Sequence, residues 1–361
     1  MNKKICVYAI CKNESKNIYD WYESMKEADK IIVLDTGSID DSVSKLKELG
    51  VEVYEEQFEM FRFDEARNLS LSYVPVEYDI CVCTDLDERF EPGWALKVKE
   101  YFKDDVTRLK YDYNWSFDEN GNPGVYYRLD KIHKNKMYKW IHPVHEVLSP
   151  LEKENIVFAE GIVLNHHQDI TKPRNSYLEL LELSVKENPL NDRNVHYLGR
   201  EYMYYKRWNE CIDTLEKHLS LESATWKDER SASMRFIARS YKELGRIEEM
   251  IYWYKKAIDE APYLREAYVE LAKYYYENKM FKDACIYLDK ALLIKTRSIS
   301  YINEEYSWNY SFYDMVSNCK YYVGSLFESY FYACFALELK GKDERILRNI
   351  EIIKNSIIKK I

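Results

Sequence analysis

Short apolar runs separated by polar breaks fill the first half of the chain, and stretches of helical period fill the second. Ile5-Cys6-Val7-Tyr8-Ala9-Ile10 reads as a buried strand that ends at Lys12-Asn13-Glu14-Ser15. A helix containing Trp21, Tyr22 and Met25 follows, and Ile31-Ile32-Val33-Leu34 gives a second strand ending in Asp35-Thr36-Gly37-Ser38. A helix over 41–49 leads to Val51-Glu52-Val53-Tyr54, and another near 63–73 leads to the run from Tyr78 to Thr84. Strands alternating with helices predict an α/β domain with a mostly parallel sheet flanked by helices. Ligands of such sheets bind outside the carboxyl ends of the strands, which is where these polar clusters fall.

From about residue 172 the period changes and a repeat appears. Ala238, Tyr241, Met250, Tyr254 and Ala257 are followed thirty-four positions on by Ala272, Tyr275, Ala284, Leu288 and Ala291. An earlier unit holds Leu198-Gly199, Tyr202, Cys211 and Leu215, with about five extra residues before the next one, placed in 220–233. The spacing resembles tetratricopeptide repeats, which usually bind peptides or mediate dimerisation. The expected division is an α/β domain over 1–171 and an all-α, tetratricopeptide-like helical repeat domain over 172–361.

Composition narrows the function. A net charge of -9 with no basic block disfavours nucleic-acid binding. No apolar run approaches the ~20 residues a membrane span needs, and the start does not resemble a cleavable signal, so the cytoplasm is the expected location. The eight cysteines form no CxxC pair and are expected as buried thiols of a reducing compartment. Most of the 34 tyrosines fall at helical spacing in the second half, where packing explains them.

Candidate chemistry centres on Asp85-Leu86-Asp87. The pair directly follows a buried strand, where carboxylates are costly unless they face a ligand or cation. Two oxygen donors with other positions open suit Mg²⁺ or Mn²⁺ on a diphosphate. A helix cap with a surface acid is the bland alternative.

Asp35-Thr36-Gly37-Ser38-Ile39-Asp40, Glu65-Ala66-Arg67-Asn68 and Thr84-Asp85-Leu86-Asp87-Glu88, behind Ile10-Cys11-Lys12-Asn13-Glu14-Ser15, resemble family 2 glycosyltransferases of the GT-A fold in order and spacing. Trp140-Ile141-His142-Pro143-Val144-His145-Glu146 resembles the Val-His-Glu segment of such enzymes carrying tetratricopeptide repeats, among them bacterial peptide S-glycosyltransferases. Asn165-His166-His167 is similar to the histidine strand that follows, and Arg128 to the arginine that precedes. The resemblance implies an inverting transfer from a nucleotide-diphosphate sugar, a UDP-sugar by expectation, with a divalent cation. It places Asp35 on the nucleobase or ribose, with Asn13, Glu14, Ser38 and Leu86 lining the nucleotide-sugar site. Arg67 lies near the diphosphate or braces the loop, Asp85 faces the ribose or metal, and Asp87 is a metal ligand. Five of the seven histidines lie between 133 and 167. His145, ranked above His166 because it adjoins a carboxylate, completes the metal shell or touches the diphosphate. Glu146 is the candidate general base. The implied partners are the sugar donor, a protein, peptide or glycan acceptor, and a second copy joined through the helical repeats. The rival readings are a peptide-binding scaffold with an inactive front domain and a nucleotidyltransferase. The latter usually opens with a glycine-rich basic loop, absent from Cys11-Lys12-Asn13-Glu14.

Overall fold

The structure is a computed structural model that describes residues 3–117, 121–168 and 177–360, so the expected division at 171/172 lies outside the described residues. Two compact units are present, one of Met1–Asn188 with Ile299–Tyr301 and one of Pro189–Ser298 with Ile302–Ile361.

The first unit contains strands β1 (Ile5–Cys11), β2 (Lys30–Asp35), β3 (Glu52–Glu55), β4 (Ile80–Cys83), β5 (Glu88–Phe90), β6 (Arg108–Asn114), β7 (Tyr126–Lys134), β8 (Tyr138–Ile141), β9 (Val147–Pro150) and β10 (Ile156–His166). Its helices are α1 (Ile18–Met25), α2 (Ser42–Glu48), α3 (Phe63–Ser72), α4 (Trp94–Tyr101) and α5 (Tyr177–Glu187). Eight strands form one sheet in the order β3-β2-β1-β4-β7-β6-β10-β5, and β8 pairs with β9 separately. β3, β2, β1 and β4 run parallel, as do β6 and β10, while β7 and β5 run against their neighbours.

β1 reads as an uninterrupted apolar run because both of its faces are covered. Ile5, Val7 and Ala9 enter a core with Trp21, Val82, Leu86 and Trp94. Cys6 and Tyr8 face the other way, into a core with Cys81, Cys83, Tyr138, Trp140 and Leu148. All eight cysteines are free thiols, and all but Cys334 are buried.

The second unit is helical: α6 (Asp192–Tyr204), α7 (Trp208–Ser220), α8 (Lys227–Glu243), α9 (Ile247–Glu260), α10 (Glu266–Glu277), α11 (Phe281–Leu293), α12 (Tyr310–Tyr322), α13 (Leu326–Lys340) and α14 (Glu344–Ile358). Its repeat is visible in the backbone. Lys206, Gly245 and Lys279 adopt left-handed φ angles of 58°, 74° and 60°. After each, the next N–H returns to a tyrosine carbonyl, of Tyr202, Tyr241 and Tyr275. Gly245 and Lys279 stand 34 positions apart and Lys206 and Gly245 stand 39 apart, which is one period plus the five extra residues. Those five lengthen α8 at its start, since α8 has 17 residues where α10 has 12. No helix among the described residues is long and apolar enough to cross a membrane.

Candidate functional site

The carboxyl ends of β1, β2 and β4 lie side by side, because Cys11 pairs with Asp35 and Tyr8 with Cys83. This register gathers the polar clusters into three adjoining groups.

The first group is the loop after β1 against the loop after β2. Asp35 is buried, and its Oδ1 accepts from the Gly37 and Ser38 amides at 3.0 and 2.8 Å. Its Oδ2 accepts from Ser38 Oγ at 2.5 Å, and that hydroxyl accepts from the Asn13 amide at 2.8 Å. Asn13 takes a left-handed φ of 56°, and its Oδ1 accepts from the Ile39 amide. Glu14 receives Asn17 Nδ2 at 2.9 Å. Much of the hydrogen-bonding capacity of Asp35 therefore shapes its own turn.

The second group is an ion network. Arg67 on α3 is 3% exposed. Its Nε donates to Glu146 Oε1, its Nη1 to Cys83 Sγ at 3.1 Å and its Nη2 to Asp85 Oδ1 at 2.7 Å. Of the two roles expected for Arg67, these contacts describe the brace. Lys131 on β7 meets the other Asp85 oxygen at 3.3 Å and Glu88 Oε1 at 3.7 Å. The Asp85 amide donates to Glu88 Oε2 at 2.8 Å. Burial works against ionisation of Asp85, yet Arg67 and Lys131 hold its carboxyl well below the usual carboxylate range. Burial, together with the Asp85 and Asp87 charges, pushes Glu88 up.

The third group is Asp87 with His166. β5 pairs antiparallel with β10 so that Glu88 stands opposite His166. That register sets His166 Nε2 3.3 Å from Asp87 Oδ2, while His166 Nδ1 donates to the Trp115 carbonyl at 3.1 Å. The indole of Trp115 stacks on the imidazole at 4.4 Å. With Nδ1 donating to the Trp115 carbonyl, Nε2–H donates to Asp87 Oδ2, and once that proton is lost the Nε2 lone pair would be the one to ligate a metal. Two ligands about 2.1 Å from one ion at a right angle stand about 3 Å apart, so the 3.3 Å separation fits a shared divalent cation.

This geometry revises several expectations. The imidazole set against Asp87 through the sheet register is that of His166 and not that of His145. His145 and His142 belong to the β8–β9 loop, where both adopt left-handed φ angles of 50° and 81°. Histidine is enriched in that conformation, so backbone shape is a sufficient reason for both. The loop aims Glu146 at Arg67, and Phe63 at the start of α3 donates its amide to the Pro143 carbonyl. Asn68 completes the docking through two 2.8 Å bonds with the Trp140 backbone. Leu86 is 2% exposed within the core, so its side chain does not line the acid cluster. Arg128 lies at the surface over the Phe158 ring. His133 is wholly buried, accepting from Tyr8 at 2.9 Å, and burial pushes its pKa down to about 4.

Four participants had no expected role, and of these only Glu88 stood inside a motif. Lys131 and Glu88 enter through strand register. Arg89 donates to the Leu86, Glu88 and Asn17 carbonyls, tying the acid loop to the loop after β1. Tyr177 on α5 is pushed up to about 12 by burial, then by the Glu146 and Asp85 charges nearby. The register between β6 and β7 shifts between Leu129 and Ile132, so simple alternation along β7 does not reveal the place of Lys131.

A mixed sheet with acids at its parallel strand ends, joined to helical repeats, defines a GT-A type domain followed by tetratricopeptide-like helices. Residues 6–152 match the family model described as Glycosyl transferase family 2, so the first unit carries a family 2 glycosyltransferase domain. Solved structures similar to part of this chain include MamA, at 18% identity over 45% of this chain and 86% of that one, with a TM-score of 0.36. Pseudomonas aeruginosa pilF matches at 13% over 49% and 72%, with a TM-score of 0.38. A thermophilic TPR protein of Thermus thermophilus matches at 16% over 49% and 88%, with a TM-score of 0.33.

Proposed function

We propose that this chain is a metal-dependent, inverting glycosyltransferase that moves a sugar from a nucleotide-diphosphate donor, a UDP-sugar, to a protein, peptide or glycan acceptor. The observation that carries it is the Asp87–His166 pair, 3.3 Å apart beside the ion-paired Asp85 at the strand ends of a family 2 domain. Asp87 and His166 would hold the cation, and a nitrogen donor in the set favours Mn²⁺ over Mg²⁺. The cation supplies positive charge against the diphosphate.

The chain's own residues do the rest. The Asn13–Asp35–Ser38 loop presents a preformed edge for the nucleotide. Lys131 and Arg67 neutralise Asp85, so the acid loop keeps one shape with or without a donor. Arg67 pins one oxygen of Glu146 and leaves the other to take the acceptor's proton. The helical repeats suit capture of a protein or peptide acceptor, with a second copy of the chain as the competing occupant. Eight free thiols suit a reducing compartment and support a cytoplasmic reading.

The test is release of nucleotide from a panel of nucleotide sugars with Mn²⁺. The native chain should hydrolyse one donor slowly, and Asp87→Ala and His166→Ala should each cut turnover by on the order of 10²-fold or more. Full activity in Asp87→Ala sinks the metal site. No release from any donor sinks the enzyme and leaves the peptide-binding scaffold.

A further inference from the structure

The helical unit contains a second constellation that the proposed transfer does not use. His196 on α6, His218 on α7 and Glu229 on α8 are 1%, 0% and 4% exposed. Each directs one ligating atom to within 4.8 Å of the others, the only such trio of histidine, cysteine or acid residues among the described residues. Ser233, also buried, joins the two rings: its Oγ lies 2.7 Å from His196 Nδ1 and 3.0 Å from His218 Nδ1.

Two further observations point to a ligand. His218 Nε2 is buried and makes no hydrogen bond, although it faces Glu229 Oε1 at 3.3 Å. Glu229 also sits on the five-residue extension of α8, the one place where α8 departs from its counterpart α10. The break in the repeat is thus what brings a carboxylate to the two imidazoles.

We propose that His196, His218 and Glu229 form a structural transition-metal site of the zinc class. Two imidazoles and a carboxylate match the ligand preference of zinc and exclude the hard ions Mg²⁺ and Ca²⁺. Tetrahedral ligands about 2.0–2.1 Å from zinc stand about 3.3 Å apart. The His218–Glu229 separation already has that value, and small ring rotations bring in His196. With an ion bound, both Nδ1–H groups donate to Ser233 Oγ, whose two lone pairs accept them. The ion would pin the α6–α7 hairpin to α8 at the irregular step of the repeat.

Zinc content and thermal midpoint of the full chain test this after stripping with a chelator and adding back ZnCl₂. One equivalent of zinc should return and raise the midpoint by several degrees, by the linkage of a ligand that binds only the folded chain. Glu229→Gln, nearly isosteric, should lose that equivalent and the midpoint rise, and His218→Gln should do the same. Asp87→Ala should keep both, which separates this site from the donor site. Ser233→Ala should retain zinc with about 10- to 100-fold weaker affinity. The proposal is overturned if the stripped native chain shows no zinc-dependent rise, or if Glu229→Gln and His218→Gln both keep zinc at the native stoichiometry. The native-chain measurement decides even where a variant fails to fold.

Discussion

At the scale of single residues, the basic groups on β7 show how much depends on where along a strand a side chain falls. Arg128 draws notice in the sequence but lies at the surface, its guanidinium over Phe158 at 3.9 Å. Three positions on, Lys131 is 18% exposed and lies between Asp85 and Glu88. Burial opposes its charge, but the two carboxylates raise its pKa and keep it an ammonium. Asp85 keeps Arg67 when Lys131 is removed, so the loss falls chiefly on the buried Glu88 carboxyl, at about 1–3 kcal/mol. Lys131→Met should therefore lower unfolding stability by about that amount in a denaturant titration and depress donor hydrolysis sharply. Arg128→Met, at the surface, should stay within about 0.5 kcal/mol of the native chain. Equal effects from the two substitutions would remove Lys131 from the centre of the site.

At the scale of elements, the repeat makes a sharper prediction. Gly199 on α6 faces Leu215 on α7, and a Cβ at 199 would lie 2.4 Å from the Leu215 side chain. Leu215 is fully buried and has no open space to retreat into. Gly199→Ala should cost about 1–3 kcal/mol through overpacking, despite alanine's better helix propensity. The double variant Gly199→Ala/Leu215→Ala should recover part of that loss relative to the sum of the singles, by a coupling of at least 0.5 kcal/mol on the order expected for touching residues. Strict additivity would mean that the two helices do not meet there. Both residues were legible in the sequence as members of one repeat unit, while their contact appears only in the packing of α6 on α7. The strands up to β4 were legible for a related reason, since local apolar runs bounded by turn residues report local structure. The pairings of β7, β6, β10 and β5 were not. They join segments up to about eighty positions apart, and those pairings put His166 on Asp87 and Lys131 on Asp85. Motif order could announce the donor loops, but the partner of each acid is a matter of sheet register.

At the scale of the whole molecule, the proposed function separates chemistry and recognition by unit, and a buried charge in the second unit can test that separation. Glu270 on α10 receives Arg235 at 2.7 Å, both donors of Arg239 at 2.8 Å, Tyr254 at 3.0 Å and Tyr306 at 2.6 Å. Burial opposes its ionisation, yet Arg239 and Arg235 hold its carboxyl well below the usual carboxylate range. A folded-state pKa below the unfolded one means stability that is present above about pH 4.5 and is lost as the pH falls toward the folded value. Glu270→Gln takes the buried carboxylate from two guanidinium groups and leaves them Glu304, so the helical unit should lose about 3 kcal/mol at pH 7. Its melting midpoint should fall by on the order of 10 °C. The variant's stability should also respond less to acid between about pH 5 and pH 3, because the group that titrates there is gone. Donor hydrolysis at 25 °C, which needs no acceptor, should stay within about twofold of the native chain while the fold persists, since the acids that would hold donor and cation lie in the first unit. Transfer to a protein or peptide acceptor should fall more than hydrolysis does if the repeats hold that acceptor. A loss of hydrolysis matching that of Asp87→Ala, in a chain still folded by circular dichroism, would show that the helical unit takes part in the donor chemistry itself.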